Sequence, residues 1–95
     1  MSKVENEKAD VPATYERVQA VKRVHEAELL GKANVVGIGV GLRQRGGVRT
    51  REVALVVMVS QKVPRAQLRP ADVIPAELDG VPVDVQEVGE IRVHG

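Results

Sequence analysis

The chain has 95 residues, and its charge is nearly balanced, with 14 Lys and Arg against 13 Asp and Glu. This length holds one small domain, and 43% hydrophobic with 28% charged residues is typical of a folded protein rather than a disordered one. The absence of Cys and the wide separation of His25 from His94 exclude a disulfide scaffold, a thiolate nucleophile and a local zinc site.

Residues 1–12 are charged, lack a periodic apolar pattern and end at a proline, which predicts a flexible N-terminal arm. Residues 13–95 are predicted to form a single α+β domain. The first residues are polar where a secretory signal needs an apolar stretch, and no apolar run approaches the ~20 residues that span a bilayer. We therefore expect a cytoplasmic protein with no membrane contact.

One helix is predicted from Tyr15 to Leu30, with Thr14 as its N-cap and Gly31 as its stop. At ~100° per residue, one apolar stripe forms on this helix. It contains Val18, Val21, His25 and Leu29, flanked by Tyr15 and Val24. A lone His on such a stripe is interpreted as a half-buried packing residue with one hydrogen bond.

A strand is predicted over residues 34–43, because apolar and glycine positions alternate with a period of two. One face carries Val36, Ile38, Val40 and Leu42, and the other carries Gly37, Gly39 and Gly41. Glycines weaken a strand, so we expect the helix or another backbone to approach this bare face closely. The G-x-G-x-G spacing lies inside a strand, not in a strand-to-helix turn, so no cofactor site is predicted.

The next segment predicts a β-hairpin that turns at Gly46-Gly47, with the second strand over residues 52–60. Both faces of the second strand are apolar, as expected of a central strand that is covered on two sides. Prolines then punctuate residues 64–82, which favours a loop with a short helical turn near residues 70–74. Asp79-Gly80 predicts a turn into a third strand over residues 81–85, which could continue over 88–93 with a bulge at Gly89.

These elements predict a two-layer α+β fold in which the N-terminal helix packs on a three- or four-stranded, mainly antiparallel, valine-rich sheet. The hydrophobic residues favour a central sheet, because 20 of them are Val and none is Phe or Trp. With Tyr15 as its one aromatic residue, the chain is not expected to stack on single-stranded bases.

Six short runs resemble the N-terminal segment of bacterial trypsin-like putative peptidases related to the plant Narrow leaf proteins. They are Asn34 to Gly41 (NVVGIGVG), Ala54 to Val59 (ALVVMV), Lys62-Val63-Pro64, Ile74-Pro75, Leu78 to Val85 (LDGVPVDV) and Val88 to Ile91 (VGEI). The resemblance covers roughly residues 20 to 91. It implies an accessory domain, because the corresponding segment precedes the peptidase domain in that family and holds none of its catalytic residues.

A catalytic triad is not predicted from the residues themselves. The two serines, Ser2 and Ser60, lie in the arm and at a strand end, and neither has a His and a carboxylate nearby in sequence. We therefore expect a protein that is not an enzyme. Its predicted function is that of a non-catalytic accessory, interaction or assembly domain.

Charge is arranged in blocks that suit association. Residues 43–71 carry seven basic residues against Glu52 alone, and residues 72–91 carry six acidic residues and no basic one. The candidate interaction or anion-binding residues are Arg43, Arg45, Arg49 and Arg51, which bracket the hairpin turn. They could pair with acidic residues of the third strand, associate with another copy, or dock on a protein partner such as a peptidase domain. The alternative is weak, sequence-independent binding of nucleic acid or another polyanion through hairpin 43–51.

Overall fold

The structure, a computed structural model, describes residues 13–89. Its regular elements are α1 (Tyr15–Leu30), β1 (Val35–Arg45), β2 (Val48–Val59), β3 (Glu77–Leu78) and β4 (Val81–Glu87), with 3-10 turns at Arg65–Gln67 and Pro70–Asp72. The predicted arm and most of the predicted continuation over 88–93 lie outside the described residues. Within the described part of that continuation, Gly89 has a φ of +77° and lies after the end of β4.

Helix α1 has the predicted bounds and the predicted N-cap. The Thr14 hydroxyl accepts a hydrogen bond from the Arg17 main-chain N–H at 3.1 Å. Gly31 ends the helix with a right-handed backbone, φ −80° and ψ −9°, and its N–H donates to main-chain oxygens of the last turn. The left-handed position that redirects the chain into β1 is Asn34, with φ 69°.

The predicted two-layer α+β architecture is confirmed, and the sheet has four strands in the order β1-β2-β4-β3. The pairs β1–β2 and β3–β4 are antiparallel, whereas β2 and β4 are parallel, so the sheet is mixed. A parallel pair needs a long crossover connection. Residues 60–80 supply it with the two 3-10 turns and β3 instead of a long helix.

The core lies between α1 and one face of the sheet. Val18, Val21 and Leu29 of the helix pack on an apolar group from the two central strands. That group consists of Leu55, Val57 and Val59 of β2 with Val81 and Val83 of β4. The prediction that β2 is covered on both faces is also confirmed, because Ala54 and Val56 on its opposite face are 0% and 8% exposed.

The predicted flanks of the helix stripe are wrong. Tyr15 and Val24 are 56% and 73% exposed, because the sheet contacts only the narrow face that contains Val18, Val21 and Leu29. His25 agrees with its interpretation: its side chain is 18% exposed and is hydrogen-bonded to Asp79.

The predicted apolar face of β1 is only half right. Ile38 and Val40 pack against the core, but Val36 and Leu42 are exposed. The register shifts between Val35 and Gly37 and again between Leu42 and Gln44. Such irregularities change which side chain faces the core, and at the first one Val35 replaces Val36.

The expectation about the glycine face of β1 is also corrected. Neither the helix nor another backbone covers it; side chains of the neighbouring strand do. A Cβ at Gly37 would lie 2.9 Å from the Met58 Cε, and one at Gly41 would lie 3.3 Å from the Val56 Cγ2. The glycines therefore leave room for large side chains on the outer face of β2.

Candidate interaction site

The hairpin between β1 and β2 turns at Gly46-Gly47, as predicted. Their φ angles are +57° and +81°, and a Cβ at either position would have no atom within 4 Å. Two consecutive residues with positive φ form the turn type whose twist matches a β-hairpin, and glycine adopts it most easily. The turn therefore extends away from the rest of the domain and carries the flanking arginines with it.

The four arginines do not form a single cluster. The Arg43 Nη1 lies 3.1 Å from the Glu52 Oε1, and the Arg45 Nη2 lies 3.8 Å from the same oxygen. The register pairs Gln44 with Arg49 and Arg45 with Val48, so Arg45 and Arg49 point to opposite faces of the hairpin. Arg49 and Arg51 are exposed and have no ion pair within residues 13–89.

A local hydrogen-bond network fixes the base of the hairpin. The Thr50 hydroxyl donates to the Arg43 main-chain oxygen at 2.8 Å and accepts from the Glu52 N–H at 3.1 Å. This network lies at the irregular register near Leu42 and Gln44 and positions the Glu52 carboxylate beside Arg43. With one carboxylate among four arginines, residues 43–52 keep a net charge of +3.

The predicted pairing of these arginines with acidic residues of the last strand does not occur within residues 13–89. The Asp84 Oδ2 instead accepts the Gln44 main-chain N–H and the Gln86 Nε2, each at 2.9 Å. Since β2 lies between β1 and β4, the first of these bonds spans it. The end of β1 therefore curls over the outer face of β2, where the small Ala54 is completely buried.

Strand β1 is the longest exposed edge of the sheet. It is a terminal strand of eleven residues, and it pairs only with β2 in the described part of the chain. Its other edge therefore presents main-chain donors and acceptors that a further strand could pair with. Val36 and Leu42, 39% and 38% exposed, add apolar surface along it.

Two further polar contacts tie the helix to the rest of the domain. The His25 Nε2 lies 2.8 Å from the Asp79 Oδ2, and the Arg17 Nη2 donates to the Asp79 main-chain oxygen at 2.6 Å. The hydrogen bond to Asp79, followed by the one to Glu28, raises the pKa of His25 above its ordinary 6.5, although burial opposes this shift. Asp79 occupies a turn with φ 48°, next to Gly80 with φ 83°.

The structure shows no arrangement in residues 13–89 that resembles a metal centre. No three His, Asp or Glu side chains of this part of the chain come together in a way that could hold an ion. The helix that the structure describes is not long and apolar enough to cross a membrane.

Comparison with known families identifies the family of the chain. The family model of the NARROW LEAF 1 N-terminal domain matches residues 13–89, which is most of the chain. The chain belongs to this family. The relation to the Narrow leaf proteins expected from the sequence is therefore confirmed, and the match begins seven residues earlier than the resemblance first indicated. No curated protein matches the chain. The helix, the hairpin and both central strands all lie inside the matched NARROW LEAF 1 N-terminal domain.

Sequence reasoning missed the residues that hold the arginine hairpin, residues 43–51, in place. Glu52, Thr50 and Asp84 set the shape of the hairpin through contacts that depend on register and on sheet order. The concentration of positive charge at residues 43–51 could be predicted from the sequence. The division of the arginines between two faces follows only from the observed pairing.

Proposed function

We propose that this NARROW LEAF 1 N-terminal domain is a non-catalytic accessory domain that docks onto a separate protein partner. The partner adds a strand to the free edge of β1 and places acidic groups against the arginine hairpin. The resemblance to segments that precede trypsin-like peptidase domains suggests such a peptidase as the partner.

The single observation that carries the proposal is the free edge of β1. Exposed strand edges pair readily with other chains, and proteins commonly protect them with charge, prolines or very short strands. The middle of β1, from Val36 to Leu42, has no charged residue and no proline. Its side chains there are glycines and aliphatic residues, which present little steric obstacle to an incoming strand.

Charge favours a separate partner over a second copy. Association between copies would require free carboxylates to meet the hairpin of the other copy. Asp72 is paired with Arg69, Asp79 with His25, and Asp84 and Glu87 accept main-chain N–H groups of Gln44 and Lys62. Four of the five carboxylates that the structure describes in residues 72–89 are thus held by contacts inside the domain, with Glu77 as the exception, which favours complementary charge from another molecule.

Among residues 13–89 both threonine hydroxyls have structural partners, and His25 has no hydrogen bond to any hydroxyl, which supports a non-catalytic role. Thr14 caps α1, and Thr50 donates to the Arg43 main-chain oxygen. The His25 ring is held between Asp79 and Glu28, at 2.8 and 3.5 Å, and is not hydrogen-bonded to any hydroxyl of residues 13–89. A nucleophile activated by this His would need such a bond.

The second candidate is binding of nucleic acid or another polyanion by the same hairpin. The exposure of Arg49 and Arg51 favours it. Two features disfavour polyanion binding. The Glu52 carboxylate holds Arg43 and lies near Arg45. In addition, Arg49 points to the face opposite Arg45, so the arginines do not act together. Polyanion binding would show a steep loss of affinity with salt, with a slope near −0.9 per phosphate contact on duplex DNA.

Size-exclusion chromatography with light scattering and absorbance at two wavelengths makes the first test. We expect a monomer with negligible nucleic-acid absorbance. An oligomer dispersed by V36K/L42K would show that β1 pairs with a second copy and would overturn the proposal of a separate partner. Nucleic acid that leaves in high salt would favour the second candidate instead.

Capture from a lysate of the source organism makes the second test, with the immobilised chain as bait. We expect mass spectrometry to find a trypsin-like peptidase on the wild-type chain and not on V36K/L42K, whose charges block the edge. The matched control is V24K, since Val24 is 73% exposed on α1, away from the edge. Equal capture by all three chains, or no peptidase on any, would refute the proposal.

A further inference from the structure

A pocket of about 290 Å³ lies at the end of the domain away from the hairpin. It opens between the turn that follows α1, the 61–74 part of the crossover and the ends of the two central strands. Its apolar walls are Val59, Val63, Leu68, Val73, Ile74 and Val85. Such a mainly aliphatic cavity accepts one or two aliphatic side chains.

The charged residues that line the pocket leave it basic. They are Lys62, Arg65 and Asp72. Asp72 is 6% exposed and already satisfied, because it accepts from the Arg69 Nε at 2.9 Å and from the Ala33 N–H at 3.0 Å. Lys62 and Arg65 are exposed, and neither side chain forms an ion pair with another described residue.

The strand beside the pocket has an unpaired edge. β3 pairs with β4 only at Val81 and Pro82, followed by one hydrogen bond from the Val83 N–H to the Ala76 oxygen at 2.9 Å. The pairing stops there, because no main-chain hydrogen bond joins Val85 to Ile74, the next partner in this register, within residues 13–89. Main-chain groups alternate along a strand, so those of Val85 point to the same side as those of Val83, away from β2.

Val85 thus combines two features at one position. Its side chain lines the pocket. Its main-chain groups lie on the edge of β4 that β3 leaves unpaired, and across the opposite edge of β4 Val85 is in register with Val57 of β2. A peptide that pairs with this edge would direct alternate side chains toward the pocket. Lys62 and Arg65, on the other wall of the pocket, would meet acidic neighbours of an inserted side chain.

We propose that this pocket binds an extended acidic peptide of a partner protein, with an aliphatic side chain seated between Val59, Ile74 and Val85. The carboxylates of the peptide lie against Lys62 and Arg65, and its main chain pairs with Val85. The edge used here belongs to β4, which lies on the opposite side of β2 from β1, although the pocket also borders the Ala33-Asn34 turn that leads into β1. This β4 edge is therefore independent of the edge used in the proposed function, and each can fail without the other.

The test is a fluorescence-polarisation titration of the full chain with a fluorescein-labelled probe peptide, Glu-Leu-Val-Leu-Asp. We expect saturable binding that weakens about tenfold or more in K62E/R65E, because the reversed charges repel the probe. The matched control is R49E/R51E, with the same change in net charge at the hairpin. We expect it to bind within about twofold of the wild type, since charges beyond about one Debye length are screened.

Two control probes test the chemistry of the ligand. Lys-Leu-Val-Leu-Lys removes the charge match, and Glu-Ser-Thr-Ser-Asp removes the aliphatic side chains; we expect neither to saturate. Octanoate supplies an aliphatic carboxylate without a peptide main chain, and we expect it not to displace the labelled probe.

The position of binding is checked by amide chemical shifts of the ¹⁵N-labelled chain. We expect the probe to move the signals of Val63 and Val85 and to leave those of Ile38 and Val40 in β1 unchanged. Equal weakening by K62E/R65E and R49E/R51E would reduce the effect to general electrostatics and overturn the proposal. Displacement by octanoate, shifts confined to β1, or no binding of the probe would overturn it as well.

Discussion

Glycines in this domain differ in what they require of the backbone. Gly47 has a φ of +81° in the hairpin turn, whereas Gly31 has a φ of −80° at the end of α1. A side chain at Gly47 would meet no atom within 4 Å, so only the backbone conformation opposes a substitution there. At Gly31 the nearest atoms would lie 3.5 and 3.7 Å from a Cβ, which is ordinary contact.

We therefore expect opposite effects from two substitutions of the same kind. Gly47→Ala destabilises the domain by about 1–2 kcal/mol, because an L-residue in the left-handed region has its Cβ too close to the carbonyl oxygen. Gly31→Ala is neutral or stabilises by up to about 1 kcal/mol, because it restricts the unfolded chain. Urea unfolding followed by circular dichroism measures both, and an equal loss in the two variants would contradict this account.

The helix cap and the two turns could be predicted from the sequence because their signals are local. Thr14 as a helix cap, Gly46-Gly47 as a two-residue hairpin turn and Asp79-Gly80 as a turn into β4 each depend on a few neighbouring residues. Gly31 marks the limit of such signals. It ends α1 as predicted, but the left-handed backbone that glycine usually supplies there belongs to Asn34.

At the scale of elements, one pair of contacts holds α1 against the β3–β4 turn. His25 contributes a side-chain hydrogen bond to Asp79, and Arg17 contributes one to the Asp79 main chain. The two residues lie two helical turns apart on α1, so this turn is fixed at two points along the helix. Only the first contact depends on the protonation of an imidazole.

We expect the stability of the domain to depend on pH through His25. Its pKa is raised in the folded state, so its contribution is fully present below the unfolded value of 6.5 and is lost as pH rises through the folded value. Urea midpoints measured between about pH 6 and about pH 9 should therefore decrease in the wild type.

Two variants isolate this effect. H25Q removes the titrating ring, and D79N removes the carboxylate while keeping a residue that tolerates the left-handed turn. Each should flatten the decrease in urea midpoint above pH 6.5. A pH dependence that persists unchanged in both variants would assign it to another group.

The register of β1 shows where prediction at the element scale stops. The alternation of Val36, Ile38, Val40 and Leu42 correctly indicated a strand. The irregularity between Val35 and Gly37 turns Val36 to the surface, whereas Leu42 is exposed although it keeps the register of Val40. The second irregularity, beyond Leu42, depends on β2 through the Thr50 and Glu52 contacts near the turn. A period of two along one strand carries no information about such a partner.

At the scale of the whole molecule, the order of the strands could not be derived from local patterns. The crossover over residues 60–80 was recognised as irregular, yet its consequence, a parallel β2–β4 pair, joins segments far apart in sequence. Contacts even longer in sequence join Gln44 to Asp84, 40 residues apart, and Ala33 to Asp72, 39 residues apart. Both proposed binding regions depend on this topology, because it makes β1 an edge and leaves β4 open at Val85.

Strand β2 should control the stability of the entire domain. It pairs with β1 on one side and with β4 on the other, and its Leu55 side chain is completely buried beneath α1. Leu55→Ala should cost about 2–5 kcal/mol, from lost burial and from the cavity that remains. Because this can exceed the stability of a small domain, Leu55→Val, with an expected cost of about 1 kcal/mol, provides a milder variant.

The expected loss is global because every element depends on β2. In urea, circular dichroism of the helix and amide exchange in β4 should therefore report the same lowered midpoint for Leu55→Val. Val24→Ala is the matched control; this side chain is 73% exposed, and its loss should change stability by less than about 0.5 kcal/mol. Separate midpoints for α1 and β4 would show instead that the helix and the crossover fold as independent units.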